Sequence, residues 1–270
     1  MSKICIIVGH GKSKNGGYDS GAVYGEYHEF HIAKEIAKYA HQTLVNEYGV
    51  SCDLMNYDGN LYLQDRINRL KDNTYSYIAE IHLNAGGGTG TEVYYSNKDA
   101  VGRKYAENIS NSIARTLGIT NRGAKVKLNA VGKDYFGIIR STKPTANLVE
   151  TVFIDRQSDL DKVKTADGQK LCGQAIAAGI AAAMGVQKTQ ATTTPTTTEQ
   201  SGSFRVKIKD DNLNIRSGAG TSYKVVGQIT DHGVYTIVET RGTVGKAGSW
   251  GKLKSGAGWI SLNSIYVTRL

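Results

Sequence analysis

The chain has 270 residues, 40% of them hydrophobic and 21% charged, with a net charge of +9. That is material for one large domain or two, and no run of 18 apolar residues is available to span a bilayer. Two prolines among 32 glycines exclude a Pro-rich or collagen-like chain. Three widely spaced cysteines, Cys5, Cys52 and Cys172, exclude a disulfide framework and a zinc knuckle, and read as buried thiols.

The predicted elements alternate along the first two thirds of the chain. Residues 4–8 form a continuous apolar run, the pattern of a strand buried on both faces. Lys3 leads straight into that run and on to Gly9-His10-Gly11, which is too short for a secretion-signal core. The expectation is synthesis in the cytoplasm without classical export. Ile32, Ile36, Ala40 and Leu44 recur every four residues and mark one face of a helix. Residues 77–81 read as a strand. Val101, Tyr105, Ile109, Ile113 and Leu117 mark a second helix, stopped by Gly118. Residues 146–149 read as a third strand, and Leu171, Ile176, Ile180 and Met184 as a last helix before Gly185. This alternation predicts an α/β fold with helices on the faces of the sheet.

Residues 187–203 change character. They are rich in Thr and carry no large apolar residue before Phe204, so they predict an extended linker between domains 1–186 and 204–270. Beyond it the period shortens. Phe204–Ile208, Leu213–Arg216, Val225–Ile229, 234–238, Trp250–Leu253 and 258–260 read as short strands separated by Gly-rich turns, a small all-β barrel. Tyr223, Trp250 and Trp259 are candidates for its core. Residues 1–186 carry 22 Lys and Arg against 19 Asp and Glu, whereas residues 204–270 carry 10 against 4. The smaller domain is therefore the basic one. It suits a polyanion, and charge alone does not choose among nucleic acid, anionic membrane and anionic wall polymer.

Three chemically capable side chains sit at predicted strand ends: His10, His82 and Glu150. Ligand sites of open α/β sheets lie at such ends. Two imidazoles and one carboxylate make a hydrolytic zinc set with a fourth position left for water. The carboxylate is expected from the start of the first helix, where Glu29 shares the face of Ile32 and Ile36, with Glu26 one turn earlier as the alternative. His28 and His31 are three apart, not the four of a zincin helix, though such a pair can still bind metal. Gly11-Lys12-Ser13 lacks the preceding glycine of a phosphate loop, because Ile6 stands there, so ATP and GTP are rejected.

Four separated stretches carry a resemblance. They are Val8-Gly9-His10-Gly11, Glu29 with the helix that follows it, Glu80-Ile81-His82-Leu83-Asn84-Ala85, and Lys143-Pro144-Thr145-Ala146-Asn147-Leu148-Val149-Glu150. In this order they resemble the zinc-dependent N-acetylmuramoyl-L-alanine amidases of phage endolysins and bacterial autolysins. The resemblance implies zinc ligands at His10, Glu29 and His82, a catalytic carboxylate at Glu150, and a mixed central sheet flanked by helices. Glu80 departs from it, since many relatives have a small polar residue there, and no catalytic role is assigned to it. Residues 204–270 resemble a bacterial SH3-like domain through Leu213-Asn214-Ile215-Arg216-Ser217-Gly218, Trp250-Gly251-Lys252-Leu253 and Gly258-Trp259-Ile260. The implied partners are peptidoglycan and other anionic wall polymers, with no nucleic acid and no membrane insertion. Together these readings predict an endolysin acting on a Gram-positive wall after release from its host. The alternatives are another zinc-dependent wall peptidase and an inactive wall-binding protein. Oligomeric state and target species are not written in the sequence.

Overall fold

The computed structural model describes residues 3–72, 74–189, 203–221, 223–246 and 248–270. The chain divides into two units, Met1–Lys188 and Thr189–Leu270. Most of the predicted linker lies outside the described residues.

Six strands build the main sheet of the first unit: β1 (Lys3–Val8), β2 (Cys52–Met55), β3 (Tyr75–Asn84), β4 (Thr91–Tyr95), β5 (Asn121–Lys125) and β6 (Thr145–Phe153). Their order is β2-β1-β3-β6-β4-β5. All neighbours are parallel except β6 and β4, which makes the sheet mixed. Six helices accompany it: α1 (Glu29–Tyr48), α2 (Leu63–Arg69), α3 (Ala100–Leu117), α4 (Gly137–Arg140), α5 (Gln157–Leu160) and α6 (Ala166–Met184).

Strand alternation sorts the core into two layers. Ile4, Ile6 and Val8 pack with Ile36 of α1, Ile109 of α3 and Ile176 of α6. Cys5 and Ile7 point to the other face, against Ile67 of α2 and Ile138 of α4. A strand covered on both sides needs an unbroken apolar run, which is what residues 4–8 supply. The helix starts follow capping chemistry: the Asp99 and Thr165 side chains accept from the backbone N–H groups of Gly102 and Gly168, opening α3 and α6.

Several expectations need correction. β3 continues three residues past Ile81, and β6 continues four past Val149, so His82 and Glu150 lie inside strands rather than after them. Val101 and Leu171 are exposed, although their spacing put them on apolar helix faces. Cys52 is only half-buried, while Cys5 and Cys172 are buried; all three are free thiols.

The second unit is all-β. Its strands are β7 (Phe204–Ile208), β8 (Leu213–Arg216), β9 (Val225–Ile229), β10 (Val234–Arg241), β11 (Trp250–Leu253), β12 (Trp259–Ser261) and β13 (Val267–Arg269). They form one antiparallel sheet in the order β9-β8-β12-β11-β10-β7-β13. Its core is aliphatic, built on Val206, Ile237, Leu253, Ile260 and Leu262. Trp250 is buried and Trp259 half-buried, but Tyr223 is 50% exposed and does not belong to the core.

Candidate metal centre and active site

β1 ends in a sharp corner. Gly9 follows it, and then His10 adopts φ 59, a left-handed backbone on a residue with a side chain. Such a conformation costs roughly 1–3 kcal/mol and persists where its surroundings hold it. Here Asn56 Nδ2 donates to the carbonyls of Val8 and His10 at 2.8 Å each, and Arg66 Nη1 donates to the His10 carbonyl at 2.9 Å. Gly9 is required for a different reason. A Cβ there would lie 2.2 Å from the His82 ring, so only glycine lets that imidazole approach.

Glu29 is the first residue of α1 and faces inward with Ile32 and Ile36, 3% exposed. Its Oε2 accepts from Ala22 N–H at 2.8 Å and its Oε1 from Leu83 N–H at 3.0 Å. The same Oε1 lies 3.1 Å from His10 Nε2 and 2.9 Å from His82 Nδ1. Burial pushes the Glu29 carboxyl up, but the hydrogen bonds from the two imidazoles outweigh it and hold the group well below the usual carboxylate range. The outer ring nitrogens are also engaged. His10 Nδ1 lies 3.0 Å from Asp19 Oδ2, and His82 Nε2 lies 3.2 Å from Glu80 Oε2.

One donor atom each from His10, Glu29 and His82 lies within 4.8 Å of the others. Two imidazole nitrogens and one carboxylate oxygen, converging from a loop, a helix start and a strand, fit a divalent cation with a position left open. Glu150 is the next strand's contribution, in register with His82 across β6 and β3. Its Oε2 is out of water and has no hydrogen-bond partner among the described residues. Burial raises its pKa to about 7, with the carboxylates of Glu29 and Glu92 adding to the rise and the His82 imidazole opposing it. A cleft of about 450 Å³ opens onto these groups, walled by Tyr62, Leu63, Phe136 and Leu148. The arrangement can bind a cation, admit a substrate and hold one proton at a carboxylate.

The N-acetylmuramoyl-L-alanine amidase family model matches residues 4–182. The chain belongs to this family. A sporulation-specific N-acetylmuramoyl-L-alanine amidase of Bacillus subtilis is 32% identical over 216 residues, covering 79% of each chain. The N-acetylmuramoyl-L-alanine amidase CwlM of Bacillus licheniformis is 29% identical over 222 residues, 81% of this chain and 82% of that one. Among solved structures, Cwp6 from Clostridium difficile superposes with a TM-score of 0.61 at 31% identity, over 68% of this chain but only 29% of its own. The catalytic domain of the CD27L endolysin matches 67% of this chain and 97% of its own, with a TM-score of 0.54 and 29% identity. The first unit is thus a peptidoglycan amidase domain by family.

His10, Glu29, His82 and Glu150 all line the same cleft. Glu26 is exposed and outside the cluster, and His31 pairs with the Tyr18 hydroxyl at 3.2 Å, so neither belongs to the donor set. Sequence reasoning did not single out Asp19 or Arg66, and it noted Glu80 only as a departure from the family with no catalytic role. Glu80 carried a usable signal: it stands two residues before His82 on one strand, and strand alternation puts both on one face. Asp19 and Arg66 carried none, because only the folded loop brings Asp19 to the His10 ring and only the short helix α2 brings Arg66 to the His10 carbonyl and Glu80.

Proposed function

We propose that this chain is a zinc-dependent enzyme that hydrolyses the amide between N-acetylmuramic acid and L-alanine of peptidoglycan. His10, Glu29 and His82 hold the metal and Glu150 carries the proton. The observation behind this is the coincidence of two unlike features in one cleft: a converging donor set and a neighbouring carboxylate with an unpartnered buried oxygen. Zinc held by these three residues would supply Lewis-acid chemistry for the amide and lower the pKa of water. Glu150, with its pKa raised to about 7, takes a proton from the attacking water and returns it to the departing alanine amine. The water oxygen joins the lactyl carbonyl carbon as the C–N bond breaks. Leu63, Phe136 and Leu148 keep the wall beside the scissile bond apolar.

We further infer that residues 204–270 are an SH3-like module that retains the enzyme on the wall. Its excess of Lys and Arg favours anionic wall polymers. The tether between the units, residues 187–203, raises the effective concentration of the amidase at its substrate. The likeness to the CD27L catalytic domain supports a phage endolysin directed at a Gram-positive wall. A cellular amidase of sporulation is the second reading, favoured by the coverage of the Bacillus subtilis relative.

Purified peptidoglycan digested with zinc-loaded and metal-stripped enzyme tests the chemistry. New alanine amines, absent without metal, are expected, and new reducing sugar ends are not. Amines of any residue other than alanine would assign the enzyme to wall peptidases instead. Comparing lysis of vegetative walls with walls from sporulating cells separates the two biological roles.

A further inference from the structure

The two imidazoles present different nitrogens to the centre. His10 turns Nε2 inward and gives Nδ1 to Asp19. His82 turns Nδ1 inward and gives Nε2 to Glu80. An ionised carboxylate has no proton to offer, so the outer nitrogen must donate. A neutral imidazole has one N–H. Fixing it on the outer nitrogen leaves the inner lone pair for a cation.

Glu80 is 2% exposed, and an ionised carboxylate at that depth needs a partner. Arg66 is that partner. Its Nε donates to Glu80 Oε1 at 2.9 Å, leaving Oε2 for His82. Arg66 is itself 4% exposed. Its Nη1 donates to the carbonyl of His10, at the left-handed corner, and to the carbonyl of Leu61. One guanidinium therefore joins the backbone of the first histidine to the carboxylate on the ring of the second. Buried ion pairs add little stability compared with apolar residues of the same size. A pair with no role beyond packing has no reason to direct its second oxygen at a metal ligand.

We propose that Arg66 and Glu80 are positioning residues for the metal centre. Glu80 sets the tautomer and orientation of His82, and Arg66 holds the Glu80 carboxylate in place while pinning the His10 corner. The inference rests on the zinc reading above and adds residues to it. Outer partners of metal-bound histidines typically change affinity by about 10–100-fold when removed.

The test is zinc affinity of the full chain, by competition with a chromophoric chelator, beside thermal melts of the metal-stripped form. Glu80→Gln is expected to weaken zinc by about 10–100-fold. The double variant Arg66→Leu with Glu80→Leu removes both charges together and tests the same point without an orphaned buried ion. It is expected to lose zinc affinity by the same order, measured at a temperature where both chains are folded, since the loss of the Arg66 bonds to the His10 and Leu61 carbonyls also lowers the metal-stripped melting temperature. A merely structural pair would lower that melting temperature and leave the zinc affinity of the folded chain unchanged. Zinc affinities of both variants within threefold of wild type overturn the inference alone. A wild-type chain that takes up no zinc overturns the metal reading and this inference with it.

Discussion

Glu92 on β4 and Glu150 on β6 stand opposite one another in the antiparallel register, yet they hold opposite electrostatic positions. Glu92 is 3% exposed and saturated with donors. Its Oε2 accepts from Arg122 at 2.5 Å and Lys125 at 2.6 Å, and its Oε1 from Tyr94 and Asn84 at 2.8 Å each. Burial pushes its carboxyl up, but the hydrogen bonds of Arg122 and Lys125 outweigh it and bring the pKa down to about 2. Glu150 has an oxygen with no donor, and burial lifts its pKa to about 7. Burial pushes both carboxyls up, and it is the cationic donors Arg122 and Lys125 that turn Glu92 into a permanent charge, while Glu150 has no such donor among the described residues. The fixed charge also acts on its neighbour, because the Glu92 carboxylate adds to the rise at Glu150.

Glu150→Gln has the largest expected effect on this contrast. It keeps the shape of the side chain and removes the proposed proton carrier, so turnover on peptidoglycan should fall by about 10²–10⁴-fold. Zinc uptake should stay as in wild type. Stability should move the other way. A carboxyl whose folded pKa is about 7, against an ordinary 4.5, costs stability progressively as pH rises from 4.5 through 7. In the metal-stripped chain the variant should match wild type near pH 4 and be more stable by roughly 1–3 kcal/mol near pH 8. Turnover within tenfold of wild type would remove Glu150 from proton transfer.

Glu92→Gln sharpens the comparison from the other side. A neutral amide cannot replace the charged acceptor of Arg122 and Lys125, and the loss should be roughly 1.5–3 kcal/mol at neutral pH. The folded pKa of Glu92 is depressed, so its stabilisation is present above about 4.5 and is lost as pH falls towards 2. Urea melts at pH 6.5 and pH 3 should therefore find the variant weaker than wild type at both, with the gap at pH 3 roughly half or less of that at pH 6.5. A gap that stays constant with pH would mean that packing, not charge, accounts for the loss.

These two carboxylates also mark where the sequence is legible. β1 and β6 run through the middle of the sheet and need apolar residues on both faces, so residues 4–8 and 146–149 declare themselves. α1 and α3 bury one face each, and their four-residue apolar spacing follows. β5 is an edge strand, Asn-Arg-Gly-Ala-Lys, and no apolar pattern distinguishes it from a loop. The two cationic donors of Glu92 come from that strand, 30 and 33 positions along the chain, and meet it only through the register of β4 and β5. His10, Glu29, His82 and Glu150 were readable because each has a chemistry that stands out in its segment. Their supports were not, because a salt bridge such as Arg66 to Glu80 is written in tertiary structure.

The smallest expected effect comes from Tyr94→Phe, and it decides whether the two carboxylates are separable. The substitution removes one hydroxyl donor from Glu92 Oε1 and leaves Asn84, Arg122 and Lys125 in place. The phenyl ring keeps its packing on Phe136, which lines the cleft, with ring centroids 4.8 Å apart. Glu92 should therefore remain ionised, and the cost should be about 1 kcal/mol, the worth of one hydrogen bond. Glu150 then keeps the same neighbouring charge, and turnover should stay within twofold of wild type. A tenfold fall in turnover with the melting temperature unchanged would mean that the donor network around Glu92 reaches Glu150 directly. The saturated and the unsatisfied acid would then be one titrating unit, and the contrast between them would no longer describe two separate groups.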